Sequence, residues 1–180
     1  LLGAYKAGSP LAKMIVGHRD RGETDRLDEI VERLVPLLSG PEAGVLAAQK
    51  LLTLESFEAL IADLPGDQRE KLQEALGKNA TLVSLVDVDP TDLLASFAGG
   101  AAEKKITAWR NDATKRHRVA LAVTALRAFL SEPSRLADLK RSNVARTCLG
   151  QLLVRLPERD ALPLVETLKR VGITPVRPGA

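Results

Sequence analysis

Residues 106–143 read ITAWRNDATKRHRVALAVTALRAFLSEPSRLADLKRSN, and the fold turns on how this stretch is understood. Between Val119 and Leu126 the run VALAVTAL is apolar on nearly every side. A helix tolerates that only when other helices surround it. A central helix over about 112–130 is therefore predicted, preceded by a Trp-bearing helix from Ala101 to about Asn111. A turn follows at Glu132-Pro133-Ser134. Directly before the apolar run, Lys115-Arg116-His117-Arg118 puts cations on a first turn whose dipole favours anions, a sign of an acidic visitor.

Outward from this helix the periodicity stays helical. On the C-terminal side, Arg135 to Arg141 forms one or two turns with Leu136 and Leu139 inward. Ser142 or Asn143 caps a helix to Leu156 whose inward set is Val144, Cys148 or Leu149, Leu152, Leu153 and Leu156. Pro157 to Val171 makes the last helix, with Leu162, Leu164, Val165 and Leu168 inward; Gly172 ends it, and ITPVRPGA is an extended or disordered tail. On the N-terminal side, residues 1–9 form a loose lead-in and a short helix spans Pro10 to His18. Leu27, Ile30, Val31, Leu34, Val35 and Leu38 line the next helix, capped by Thr24 or Asp25. The helix from Glu42 to Leu54 uses Val45, Leu46, Leu51, Leu52 and Leu54. Ser56 or Glu55 opens a helix with Phe57, Leu60, Ile61 and Leu64 inward, and Asp67 with Glu70 forms a capping box for another that buries Leu72 and Leu76. No repeat of fixed period emerges.

The fold class predicted is therefore all-α: a compact helical bundle over 80–172, additional N-terminal helices over 1–79 packed on it, and a tail over 173–180. A chain of 180 residues buries about 70% of its unfolded surface and needs no staples. Aromatics are only 3%, which suits Leu-, Val- and Ala-built helix packing better than a sheet. The lone Cys148 makes no internal disulfide, and the composition favours a reducing compartment. No apolar run approaches the roughly 18 residues of a membrane span, no signal peptide pattern opens the chain, and a start at Leu1-Leu2 without methionine suggests a piece of a longer protein.

Charge is polarised. Residues 1–100 hold 10 Lys and Arg against 16 Asp and Glu, and residues 101–180 hold 16 against 7. A field of one sign steers opposite charge toward one part of a molecule. The basic set is Lys104, Lys105, Arg110, Lys115, Arg116, Arg118, Arg127, Arg135, Lys140, Arg141 and Arg146. It suits an acidic disordered peptide held at an apolar groove, or, as the alternative, the phosphates of a nucleic acid; it also suits simple pairing with the acidic half.

Catalytic and metal chemistry find little footing. LVDVDPT at 85–91 matches the aspartate pair of haloacid-dehalogenase phosphatases, but the parallel sheet, later lysine and acidic metal pair do not follow. Asp89 as N-cap, Pro90 as first helical residue and Asp92 as first-turn anion account for the same residues. Cys148 sits on an apolar stripe, His18 and His117 lack partners at ligand spacing, and no phosphate loop is present, so no catalytic residue, metal or cofactor is expected.

LVDVDPTDLLASFAGGAAEKKITAW, then ALAVTALRAFL, then LADLKRSNVARTCLGQLL resemble the N-terminal domain of transcription elongation factor S-II (TFIIS), the TND or LW domain family. The likeness extends over about residues 80–171 and is carried by the glycine pair before the Trp109 helix, by Leu139-Lys140, and by Asn143 and Ala145. Within the family, the PNUTS-type nuclear-targeting subunits of protein phosphatase type one are the most similar. The segment between Gly100 and Trp109 is longer here, and LVETLKRVG lacks the family's closing tryptophan. The resemblance implies a nuclear, non-catalytic scaffold domain that recruits short motifs of transcription elongation and termination factors, with other regions meeting the phosphatase subunits. Arg127, Lys140, Arg141, Asn143 and Arg146 are then the expected peptide contacts, Trp109 and Leu139 their structural supports, and Lys104, Lys105, Arg110, Lys115, Arg116 and Arg118 a flanking basic patch.

Overall fold

A computed structural model describes residues 5, 6 and 8–177. Among them every regular element is a helix, so the chain is all-α as its periodicity predicts. It divides into two compact units, Leu1–Leu85 and Val86–Ala180. The sequence places its division at 79/80.

The first unit contains α1 (Pro10–Asp20), α2 (Thr24–Ser39), α3 (Glu42–Ala48), α4 (Leu54–Ala62), α5 (Gly66–Gly77) and a 3-10 turn at Ala80–Leu85. Its main packing is α2 on α5, with α1 beside α2 and α4 beside α5. Phe57, Leu60, Ile61 and Leu64 are buried as their spacing requires, as are Leu27, Val31, Leu38, Leu72 and Leu76. Val45 and Leu51, expected inward, are exposed (57% and 46%). The α3 helix is short and buries Ala43 instead, because Gly44 lies so close to Thr81 that the backbone itself makes the contact.

In this unit helix starts differ from the sequence expectation in three places. Thr53, one turn earlier than expected, caps α4 by accepting from the Ser56 amide (3.2 Å). α2 begins at Thr24 with Glu23 before it and no side-chain cap. α5 begins at Gly66 after Pro65, so Asp67 is a first-turn anion and not the cap of a capping box. Asn79 closes the C-terminal end of α2: its amide donates to the Leu38 and Gly40 carbonyls (2.7 and 2.8 Å), and its oxygen accepts from the Thr81 amide and hydroxyl (3.0 and 2.6 Å). Of the expected loose lead-in, residues 1–4 and 7 lie outside the described residues; Tyr5 is buried and donates to Asp63 at 2.6 Å.

The second unit contains α6 (Pro90–Ala95), α7 (Ala101–Arg110), α8 (Arg116–Leu130), α9 (Pro133–Arg141), α10 (Asn143–Arg155) and α11 (Glu158–Val171). The apolar helix α8 is packed by α6, α7 and α11, and α10 lies against α6, α7 and α9. Val119, Leu121, Ala122, Val123, Leu126 and Leu130 are all buried, which the uniform hydrophobicity of the run demands. α8 starts at Arg116 and not near Asp112, because the Asp112 carboxylate takes the Thr114 amide and hydroxyl (2.9 and 2.7 Å) in a local turn that competes with helix. Val144 and Leu162, expected inward, are exposed (57% and 55%), while Leu136 and Leu139 on α9 are only half-buried.

The C-terminal segment is laid down along α10. Gly172 ends α11 in the left-handed region (φ 78°), and Ile173 is buried. The Val176 amide then donates to the Arg146 carbonyl at 2.9 Å, and Arg146 Nε donates to the Thr174 carbonyl at 2.8 Å. Residues 178–180 of the expected tail lie outside the described residues.

Candidate functional site

The aspartate pair resolves as a helix start. Asp89 accepts from the Thr91 amide at 2.9 Å, Pro90 opens α6, and Asp92 lies in its first turn. Asp87 is exposed and paired with Lys105 at 2.9 Å, and no strand leads into it among the described residues. The described residues contain no group of three or more His, Cys, Asp or Glu able to hold a metal ion, and no helix long and apolar enough to cross a membrane. Cys148 is buried on α10, between residues that also face inward.

Part of the basic patch is taken up by internal partners. Lys105 binds both the carboxylate and the carbonyl of Asp87, and Arg110 donates to the Arg155 carbonyl at 3.1 Å. Arg118 lies over the buried Trp109 ring, 5.7 Å from its centroid. His117 is 1% exposed. The cations that open α8 are thus partly drawn inward: a guanidinium over an indole face contributes about 0.5–1 kcal/mol, enough to offset much of a first-turn dipole penalty. That relief reaches Arg118, and leaves the charges of Lys115 and Arg116 at the start of α8. Lys104 and Arg116 are exposed and Lys115 half-exposed, with no hydrogen bond or ion pair from their side chains among the described residues.

The expected peptide contacts separate in the same way. Arg127, on α8, is half-buried and donates through Nε to Thr167 Oγ1 on α11 at 2.8 Å, while Thr167 donates to the Pro163 carbonyl at 3.1 Å. It ties two helices together. Arg146 is committed to the C-terminal segment. Lys140 lies beside Gly172, close to the carbonyl end of α11, where a cation is favourable. Arg141 and Asn143 are exposed, and with Lys140 they make no side-chain hydrogen bond or ion pair among the described residues. Trp109 is buried and supports the unit; Leu139 is only half-buried.

What remains open is the α9–α10 corner. Lys140, Arg141 and Asn143 stand there beside Val144, an exposed apolar side chain. The first turn of α10 carries no acidic residue, and Lys140 and Arg141 offset the carbonyl end of α9, which meets it at Ser142. The arrangement suits a short segment with one apolar contact and an anionic flank.

Two features escaped the sequence. Gly150, midway along α10, is buried where a Cβ would overlap the Val176 carbonyl, so the helix must be bare there for the C-terminal segment to cross. A lone glycine inside a helical pattern, at a cost of about 1 kcal/mol against alanine, was the available signal. In the first unit, a shallow cleft of about 390 Å³ between α1 and α2 is bordered by Met14, Ile30, His18, Arg26 and Arg33. Glu23 at its rim accepts from Arg21, which is the main reason its carboxyl is held below the usual range.

Comparison of the chain with protein-family models, with curated proteins and with solved structures finds no match.

Proposed function

We propose that this chain is a non-catalytic, nuclear protein-interaction domain of a PNUTS-like phosphatase regulatory subunit, of the TFIIS N-terminal kind, recruiting short motifs of transcription elongation and termination factors. The sequence resemblance over about 80–171 supports the family. The observation that carries the docking role is the uncommitted corner of Lys140, Arg141, Asn143 and Val144. In such docking an apolar anchor supplies most of the affinity and the cations orient an acidic flank.

Binding of fluorescent peptides with an apolar residue beside two or three acidic ones tests this. Lys140→Glu/Arg141→Glu is expected to weaken binding by about tenfold or more while the far-ultraviolet circular dichroism stays helical, and to lower stability only by the lost cations at the helix C-termini, about 0.3–1 kcal/mol each. Equal affinity in the double variant refutes the proposal.

Lys104, Lys115 and Arg116 favour a second function, nucleic-acid binding through phosphates. Its mark is a steep loss of duplex or single-strand binding as salt rises, unaffected by the α9–α10 substitutions.

A further inference from the structure

We infer that the face of α10 around Arg146 and Gly150 is a docking seat for an extended peptide, held in cis by the chain's own residues 173–177 and yielded to a partner with a similar apolar core and an acidic residue where Arg177 stands. Three observations carry this. The contact is made through backbone: Val176 N–H donates to the Arg146 carbonyl at 2.9 Å, and Arg146 Nε reaches the Thr174 carbonyl at 2.8 Å. These bonds hold an extended main chain with little regard for its side chains. Ile173 is the one fully buried anchor, 4% exposed, with Pro175 and Val176 half-buried and Thr174 and Arg177 exposed. Finally, the floor is shaped for main chain, because any Cβ at Gly150 would occupy the place of the Val176 carbonyl.

The charge of the occupant points to its replaceability. Residues 101–180 carry 16 Lys and Arg against 7 Asp and Glu, and Lys140 and Arg146 border the segment. Arg177 is itself one of those cations. A peptide presenting Glu at the same place keeps the backbone bonds and the anchor and brings an anion into this basic half of the chain. While the cis segment is seated, a partner's apparent Kd is raised by the reciprocal of the fraction of molecules whose seat is open. For the sign of the partner's charge, this inference rests on the docking function proposed above.

The test uses the full chain and two fluorescent peptides, VGITPVEP and VGITPVRP. In Ile173→Ser/Val176→Pro the cis segment loses its anchor and its amide donor while the seat is intact. This variant is expected to bind VGITPVEP about tenfold or more tighter than the unaltered chain does. Adding Gly150→Ala should abolish that binding, although alanine is the better helix former. No gain on release, or binding that survives Gly150→Ala, overturns the inference. Equal affinity for the two peptides, still lost with Gly150→Ala, overturns the acidic partner and leaves the seat; the α9–α10 corner is judged separately, by Lys140→Glu/Arg141→Glu. Should the released variant fail to fold, amide exchange in the otherwise unaltered chain decides: Gly150→Ala should speed exchange of the Val176 amide by about tenfold or more, and an unchanged rate overturns the inference.

Discussion

Asn79 offers the sharpest test of how the first unit is held. The residue is 7% exposed, and its side chain makes four hydrogen bonds, two donated to the carbonyls that end α2 and two accepted from Thr81. The four bonds contribute about 1 kcal/mol net each, about 4 kcal/mol together, and the Gly40 carbonyl keeps the Ala43 amide as a donor when Asn79 is removed. Some of that is relieved by water entering the space left behind. Asn79→Ala is therefore expected to destabilise by about 3 kcal/mol, measured by urea unfolding followed by far-ultraviolet circular dichroism. Asn79→Asp keeps the shape but turns two donors into acceptors facing the Leu38 and Gly40 carbonyls. Its carboxyl is pushed above the usual value of about 3.9 in the folded state. A raised folded pKa contributes stability that is fully present below the unfolded value and is lost as pH rises through the folded value. The Asp variant should thus approach the unaltered chain in acid and fall away from it toward neutrality. A loss below about 1 kcal/mol in the Ala variant, or an Asp variant whose deficit does not change with pH, refutes this account.

Asp160, buried in the first turn of α11, has its carboxyl raised by burial to about 6, with Arg159 opposing the shift. Its proton stabilises the fold below about pH 4, and that stability is lost as pH rises through about 6, so Asp160→Asn should gain about 1–2 kcal/mol over the unaltered chain at pH 7.5 after allowance for residual solvent contact, and nothing at pH 3.5, by thermal melts at both. Asp89→Ala removes a side-chain cap and should cost about 1 kcal/mol in a urea titration; Asp89→Asn, which preserves the acceptor, should cost a few tenths. Arg127→Ala should lower stability by about 1–2 kcal/mol, with peptide affinity unchanged by fluorescence anisotropy, because its guanidinium is spent on Thr167.

Much of the helical order was legible because spacing and burial have one cause. Phe57, Leu60, Ile61 and Leu64 recur at three and four residues, and each is buried. Where helices are short and rich in alanine, the same rule has two solutions. Ala43 and Ala145 took the inward places, and Val45 and Val144 were left in water. The cap of α4 was missed because the β-branched Thr53 and its neighbours Glu55 and Ser56 are all plausible first residues, and only the extended backbone at Thr53 decides between them. The candidate site was legible as a set of cations and illegible as a geometry. Arg127 and Thr167 lie forty residues apart, and Arg146 meets Thr174 across a whole helix, so nothing local distinguishes them from Lys140 and Arg141, whose charge stays in solvent.

The division at Leu85 and Val86 leaves each half with its own native reporter. The chain has one tryptophan, one tyrosine and one cysteine; Trp109 and Cys148 fall in the second unit and Tyr5 in the first. Indole emission and thiol alkylation therefore watch one half, while phenol absorbance watches the other, in unlabelled material. Coincident midpoints would mark a single cooperative block, and separated ones would rank the halves by how readily each comes apart.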